Sequence, residues 1–197
     1  PAIILVLVHV FTPHYWVLAS WKSGPQLPHG VLEDGRPWIG AEQPAVTVVE
    51  YVDYSCPHCA LAASRMRIRV ADHADTIRLV RHQQPRMRCL PAIPGQRCLY
   101  VRAAICAGDQ DKFWEMDDWL FSHIPGVLRF DPEEASQDVG LELEAFTTCL
   151  DDEATFKRAE VEAKAARLKK IRETPMYEID GEKLTPTGMV DELGRRL

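Results

Sequence analysis

The sequence Cys56-Pro57-His58-Cys59 constrains this chain more than any other feature, because its neighbours place it between a strand and a helix. The run before it, VTVVEYVDY over residues 46–54, is dense in β-branched and aromatic residues and predicts a buried strand. Residues 59–71 contain no Gly or Pro and predict a helix whose first turn begins at the cysteines. A Cys-X-X-Cys pair at such a junction is typical of dithiol–disulfide chemistry.

Each residue of this motif suits that chemistry. Cys56 is predicted at a helix N-terminus, where unpaired N–H groups and the helix dipole favour a thiolate. Pro57 fits the first helical turn, and His58 can supply a donor or a positive charge beside Cys56. A stabilised thiolate is a good leaving group, so the pair is predicted to oxidise other dithiols. The competing interpretation is half of a zinc site, which would need a second close pair of ligands.

The order of the predicted elements defines an α/β fold class. Residues 76–83 predict a second strand, which gives a parallel pair with a right-handed crossover. A helical period follows from about residue 86 to residue 171, and a hairpin over 176–184 and a short helix over 188–197 close the chain. This order predicts a thioredoxin-like fold with an inserted helical domain: a scaffold over 45–85 and 172–197, and an insertion over 86–171.

The first part of the chain is predicted to lie outside this domain. Residues 1–21 contain no Asp, Glu, Lys or Arg, and about 20 apolar residues can cross a bilayer as a helix, although Pro13 interrupts the run. A membrane anchor, the end of a preceding transmembrane region, a signal-peptide remnant and an apolar element packed on the domain all remain open. Residues 22–44 are rich in Pro and Gly and predict a linker and lead-in.

The run VEYVDYSCPHC, with Glu50 six residues before Cys56, resembles the active-site strand and helix of DsbA-type disulfide oxidoreductases of the thioredoxin superfamily. The resemblance covers about residues 38–197. The segment RCLYVRAAICAGDQDKFWEMDDWLF is also similar to DsbA-like domains fused to vitamin K epoxide reductase homologues. The resemblance implies a protein-disulfide oxidoreductase whose redox group is its own disulfide, with no other cofactor and no metal.

Roles for individual residues follow from the resemblance. It implies that Cys56 is the exchanging sulfur and Cys59 the buried resolving one. It also implies that Thr174-Pro175 is a cis-proline loop that binds an extended client strand.

Glu50 is predicted to lie beneath the active site. Strand alternation points it inward, where a buried carboxylate with a raised pKa could accept the proton of Cys59. The alternative is a glutamate at the edge of the strand that faces water.

The other four of the six cysteines bear on the compartment. Cys98 and Cys106 would lie about 12 Å apart along one helix, too far to pair. Of the pairings that remain, we favour Cys89–Cys98, which would close the Pro/Gly loop, with Cys106–Cys149, which would join two helices; such bridges would indicate an oxidising compartment. Four buried free thiols remain the alternative.

Charge and motif together define the expected partners. The net charge of −6 argues against a nucleic-acid footprint over the whole domain. We expect a periplasmic or other extracytoplasmic enzyme, tethered to the membrane, that introduces disulfides into exported proteins. Its partners would be reduced or unfolded clients and a membrane quinone-linked reoxidase. The same motif permits a reductase, isomerase or electron carrier, and a zinc-stabilised or structural binding module is the alternative of another class.

Overall fold

The computed structural model describes residues 27–85, 96–123 and 130–197. Within these ranges a mixed sheet of six strands has the order β1–β2–β4–β3–β5–β6. The central strands β3 and β4 run parallel, and the other neighbouring strands pair antiparallel. The strands are β1 His29–Val31, β2 Pro37–Gly40, β3 Val46–Val52, β4 Ile77–Gln83, β5 Met176–Ile179 and β6 Glu182–Leu184.

Seven helices surround the sheet in the described part of the chain. The first follows β3, five lie between β4 and β5, and the last follows β6. The predicted fold class, a thioredoxin-like α/β scaffold with a helical block between its halves, is therefore confirmed. The helices are α1 Pro57–Asp72, α2 Gln96–Gly108, α3 Phe113–His123, α4 Pro132–Val139, α5 Leu143–Asp151, α6 Glu153–Leu168 and α7 Pro186–Arg196.

The sheet begins earlier than the sequence predicted. Residues 29–40, expected within the linker and lead-in of 22–44, form the β1–β2 hairpin, and β2 pairs with β4 through Trp38 opposite Val80. Gly40, the last residue of β2, allows close approach of a neighbouring main chain. At Gly40, where φ is +108°, an added Cβ would lie only 2.2 Å from the carbonyl oxygen of Ile77. The predicted membrane segment over 1–21 lies outside the described residues.

The two largest of four apolar clusters in the described residues form the core. One joins the sheet to α1 and α7, through residues such as Val48, Met66 and Leu193. The other is built by α2 to α5 and includes both Cys56 and Cys59. No helix within 27–85, 96–123 and 130–197 is both long and apolar enough to cross a membrane.

A disulfide joins the first and fourth helices of the inserted block. Cys106 in α2 and Cys149 in α5 are bonded, with their Cα atoms 5.8 Å apart, as the sequence analysis expected. Cys98 is also disulfide-bonded, so the alternative of free thiols is wrong for these three residues. The expected Cys89–Cys98 pairing stays a prediction, because Cys89 lies outside the described residues.

Candidate active site

The N-terminus of α1 presents the first cysteine of the motif. Cys56 is the N-cap residue in an extended conformation, and its side chain makes no capping hydrogen bond. Its carbonyl oxygen accepts from the N–H groups of Cys59 and Ala60 at 3.0 and 3.2 Å, while Pro57 occupies the first turn. The sulfur therefore belongs to the residue that begins the helix, where the N–H groups of the first turn have no partner within the helix.

The two cysteines differ in how far solvent can reach them. Both are free thiols; Cys56 is 8% exposed and Cys59 is fully buried. Burial raises the pKa of the Cys59 thiol to about 12, and the charge of Cys56 acts in the same direction. Only Cys56 is open to attack from outside, which is the asymmetry that thiol–disulfide exchange requires.

The predicted loop at Thr174-Pro175 lies against the first cysteine. The Thr174–Pro175 peptide bond is cis, and the Cys56 thiol donates to the carbonyl oxygen of Thr174 at 3.7 Å. β5 begins directly after the loop at Met176. The fold thus brings together residues that are separated by more than a hundred positions in the sequence.

A groove of about 900 Å³ runs from this loop between α1 and the start of α7. Its lining mixes apolar side chains with basic ones, and the exposed His58 stands within it. The residues that line it include His58, Arg65, Arg69, Thr174, Pro175 and Val190.

Glu50 points into the protein, so the alternative of a water-facing glutamate is wrong. Its side chain is fully buried. One carboxylate oxygen accepts from the Tyr177 hydroxyl at 2.8 Å, and the other pairs with Nη1 of Arg81. Burial raises the pKa of Glu50, although Arg81 and Tyr177 act against that rise.

Two residues of this buried site escaped the sequence analysis, namely Arg81 and Asp117. The Asp117 carboxylate accepts from Nε and Nη2 of Arg81 at 2.9 and 2.8 Å. It also accepts from the Tyr54 hydroxyl at 2.9 Å. A signal existed for Asp117, since a helix spacing of four places it on one face with Phe113 and Phe121, where an acidic residue is unusual.

Metal binding has no support in the described part of the chain. No group of three or more His, Cys, Asp or Glu residues within 27–85, 96–123 and 130–197 is arranged to hold a metal ion.

Solved structures share the fold of this chain. BdbD from Bacillus subtilis superposes with a TM-score of 0.67 at 17% identity, over 88% of this chain and 98% of that chain. MdbA from Corynebacterium diphtheriae, named a thiol-disulfide oxidoreductase, gives 0.67 at 18% identity, over 85% and 92%. DsbA2 from Pseudomonas aeruginosa gives 0.63 at 23% identity, over 81% and 93%.

A family model described as Thioredoxin matches residues 33–197. The chain belongs to this thioredoxin family.

Curated relatives carry a similar sequence within longer proteins. The Na(+)/H(+) antiporter NhaA 3 of Salinispora tropica is 30% identical over 142 residues, which are 72% of this chain and 21% of the relative. The antiporter NhaA of Herminiimonas arsenicoxydans is 30% identical over 145 residues, 74% of this chain and 22% of the relative. The chain spans about a fifth of the length of these relatives.

Proposed function

We propose that this chain is a thiol:disulfide oxidoreductase that introduces disulfides into exported client proteins. The observation that carries the proposal is the unequal pair at the start of α1, with Cys56 8% exposed and Cys59 fully buried. The contact of Cys56 with the Thr174 carbonyl oxygen places the main chain of Thr174 beside the reactive sulfur, where it could bind an extended client strand. Fold similarity to proteins such as MdbA, named a thiol-disulfide oxidoreductase, supports the proposal.

The reaction begins from the oxidised Cys56–Cys59 bond. A client thiolate attacks Sγ of Cys56, the bond between the two cysteines breaks, and its electron pair leaves on Sγ of Cys59. The Cys59 thiolate takes up a proton, because burial raises the pKa of this thiol to about 12. A second client thiolate then attacks the client sulfur of the mixed disulfide and releases Cys56 as a thiolate. The client ends oxidised and the enzyme pair reduced.

Proton transfer at Cys59 is assigned to Glu50. A carboxyl group with a raised pKa can give a proton to the leaving sulfur and take it back when the pair is reoxidised. Tyr177 interacts with both groups: its hydroxyl donates to Glu50, and burial and the charge of Cys59 both raise the pKa of that hydroxyl.

Client binding is assigned to the cis-proline loop and the groove beside it. Thr174 can bond the main chain of an extended client strand, and the groove of about 900 Å³ can accept the client's side chains. Exposed His58 can present a donor to the Cys56 sulfur from the groove side.

Cysteine variants test the roles. Cys56→Ser should abolish oxidation of a reduced peptide that holds two cysteines. Cys59→Ser, incubated with the same peptide in its disulfide form, should accumulate a mixed disulfide that mass spectrometry detects, because the Cys56 thiolate breaks the peptide disulfide and no Cys59 thiol is present to release the adduct. Ser64→Ala on the same helix serves as a control that keeps turnover. Full turnover by Cys59→Ser would show that the roles are misassigned.

The reduction potential tests the direction of the reaction. Equilibration with glutathione buffers can be followed by tryptophan fluorescence, since Trp119 shares a core with both cysteines. A value near about −120 mV supports an oxidase, whereas about −270 mV indicates a reductase or electron carrier instead.

We also propose an extracytoplasmic location with a membrane tether and reoxidation by a quinone-linked membrane partner. The uncharged residues 1–21 and the Cys106–Cys149 disulfide support this. The antiporter relatives support a membrane setting as well, as proteins of which this chain spans about a fifth. Deletion of residues 1–26 should move the protein from the membrane fraction to the soluble one; retention in the membrane fraction would refute a tether there.

A further inference from the structure

A buried cluster of charges between the sheet and α3 holds more carboxylates than guanidinium groups. Arg67 pairs with Asp118. Arg81 pairs with both Glu50 and Asp117, and all three of these side chains are fully buried. An uncompensated charge is costly in a medium of low dielectric constant, so a cluster of this composition is expected to retain one proton.

Hydrogen bonding decides which carboxyl group keeps that proton. Asp117 accepts two parallel bonds from Arg81 and a third from Tyr54, at 2.8–2.9 Å. A two-bond fork is the strongest pairing of a guanidinium with a carboxylate, and each added donor favours the ionised form. Glu50 accepts one N–H from Arg81 and one O–H from Tyr177. Fewer donors thus favour the ionised form of Glu50, so Glu50 is the carboxyl group that keeps the proton.

We propose that Asp117 is a positioning residue that engages Arg81 and thereby leaves Glu50 protonated at neutral pH, as the proton source for Cys59. The last step rests on the proposed function, whereas the protonation of Glu50 does not. Burial raises the pKa of Glu50, and the charge of Asp117 raises it further.

The groups that face Glu50 come from three elements. Arg81 extends from β4, Tyr177 from β5 and Asp117 from α3. Arg67 of α1 acts on the same cluster through the charges of Asp117 and Arg81. Loss of the Asp117 charge leaves Arg81 with Glu50 as its carboxylate partner, so Glu50 should then ionise.

The proton balance of the exchange follows directly. When the client thiolate breaks the bond between the cysteines, the electron pair goes to Sγ of Cys59 and the proton of Glu50 follows it. The carboxylate that remains is held by Arg81 and Tyr177. Solvent then restores the proton of Glu50. On reoxidation Glu50 returns this proton to solvent and takes up the proton of the Cys59 thiol.

Infrared spectroscopy of the full chain tests the protonation state. The difference between wild type and Glu50→Gln at pH 7 should contain the carbonyl band of a protonated carboxylic acid. The difference is needed because burial also raises the pKa of Glu162 to about 7, so Glu162 contributes a band of its own. A Glu50 band that disappears by about pH 5, as for an ordinary glutamic acid, would overturn the proposal.

Variants of Asp117 and of its hydrogen-bond donor Tyr54 test the role of Asp117. Asp117→Asn should remove the Glu50 band at pH 7. Glu115→Gln, which removes a carboxylate of the same helix at the surface beside Lys112, is the control and should keep it. Tyr54→Phe, which removes one donor to Asp117, is the milder variant should Asp117→Asn fail to fold, and it should weaken the band. A Glu50 band unchanged in Asp117→Asn and Tyr54→Phe would overturn the proposal.

Turnover assays test whether the proton of Glu50 is the one that Cys59 receives. Asp117→Asn should oxidise the peptide more slowly at pH 7 and recover at lower pH, where Glu50 is protonated again. Glu115→Gln should oxidise it at the wild-type rate. Loss of the band with no change in the pH profile would overturn the link to Cys59. A wild-type protein with no exchange activity would refute the proposed function and leave the infrared result standing.

Discussion

Removal of the Cys106–Cys149 disulfide should lower the free energy of unfolding by about 4 kcal/mol. The bond closes a loop with a sequence separation of 43, and the chain-entropy relation gives that value for such a loop at room temperature. Domains of ordinary stability have about 5–15 kcal/mol in all, so this one bond would carry a large share.

Urea unfolding of the double variant Cys106→Ala/Cys149→Ala measures the effect. Both it and its reference should carry Cys56→Ala and Cys59→Ala, so that no free thiol of the motif can reshuffle disulfides. With a urea dependence of about 1–3 kcal/mol per molar, the midpoint should fall by at least about 1 M. Thr148→Ala, an exposed change beside Cys149, is the control and should leave the midpoint in place.

A loss of stability below about 1 kcal/mol would refute this reasoning. It would mean that residual contacts between the segments of α2 and α5 already restrict the unfolded chain, so that the bond removes little further conformational entropy.

Two further predictions concern titration. Iodoacetamide at pH 8 should alkylate the reduced protein at Cys56 and spare Cys59, because Cys59 is fully buried and its thiol has a pKa of about 12; peptide mapping that finds both residues modified at equal rates would contradict this. Burial raises the pKa of Glu162 from 4.5 to about 7, so the unfolded chain loses this proton first and stability should fall as pH rises from about 4.5 to 7. Glu162→Gln, whose amide oxygen can still accept the N–H of Gln83 that Glu162 accepts at 2.7 Å, should remove that part of the pH dependence; parallel stability curves for the two proteins would refute it.

The sequence predicts the centre of this fold well because its local signals agree. The β-branched run before Cys56 forms β3, and the stretch after it forms α1, which begins at Pro57. The alternation that pointed Glu50 inward is matched by its full burial. Each of these features depends on near neighbours in the chain, where periodicity and helix-start rules apply.

What the sequence could not predict depends on distant partners. The β1–β2 hairpin was missed because its Pro and Gly residues are also typical of linkers, and only pairing with β4 distinguishes the two. The contact of Arg81 with Asp117 joins residues 36 positions apart. The helix face that Asp117 shares with Phe113 and Phe121 indicates burial but does not identify Arg81 as its partner.

Cys56 and Cys59 share an apolar core with the inserted helices, which has a consequence for attempts to shorten this protein to a minimal thioredoxin domain. Cys56 and Cys59 pack in the same apolar cluster as residues of α2 to α5, such as Met116 and Phe146. Excision of the helical block would therefore expose the buried sulfur and uncover the charges that Asp117 neutralises. The helical block therefore encloses the active site. A shortened protein would need other apolar residues to cover Cys59 before the motif could keep one buried and one accessible sulfur.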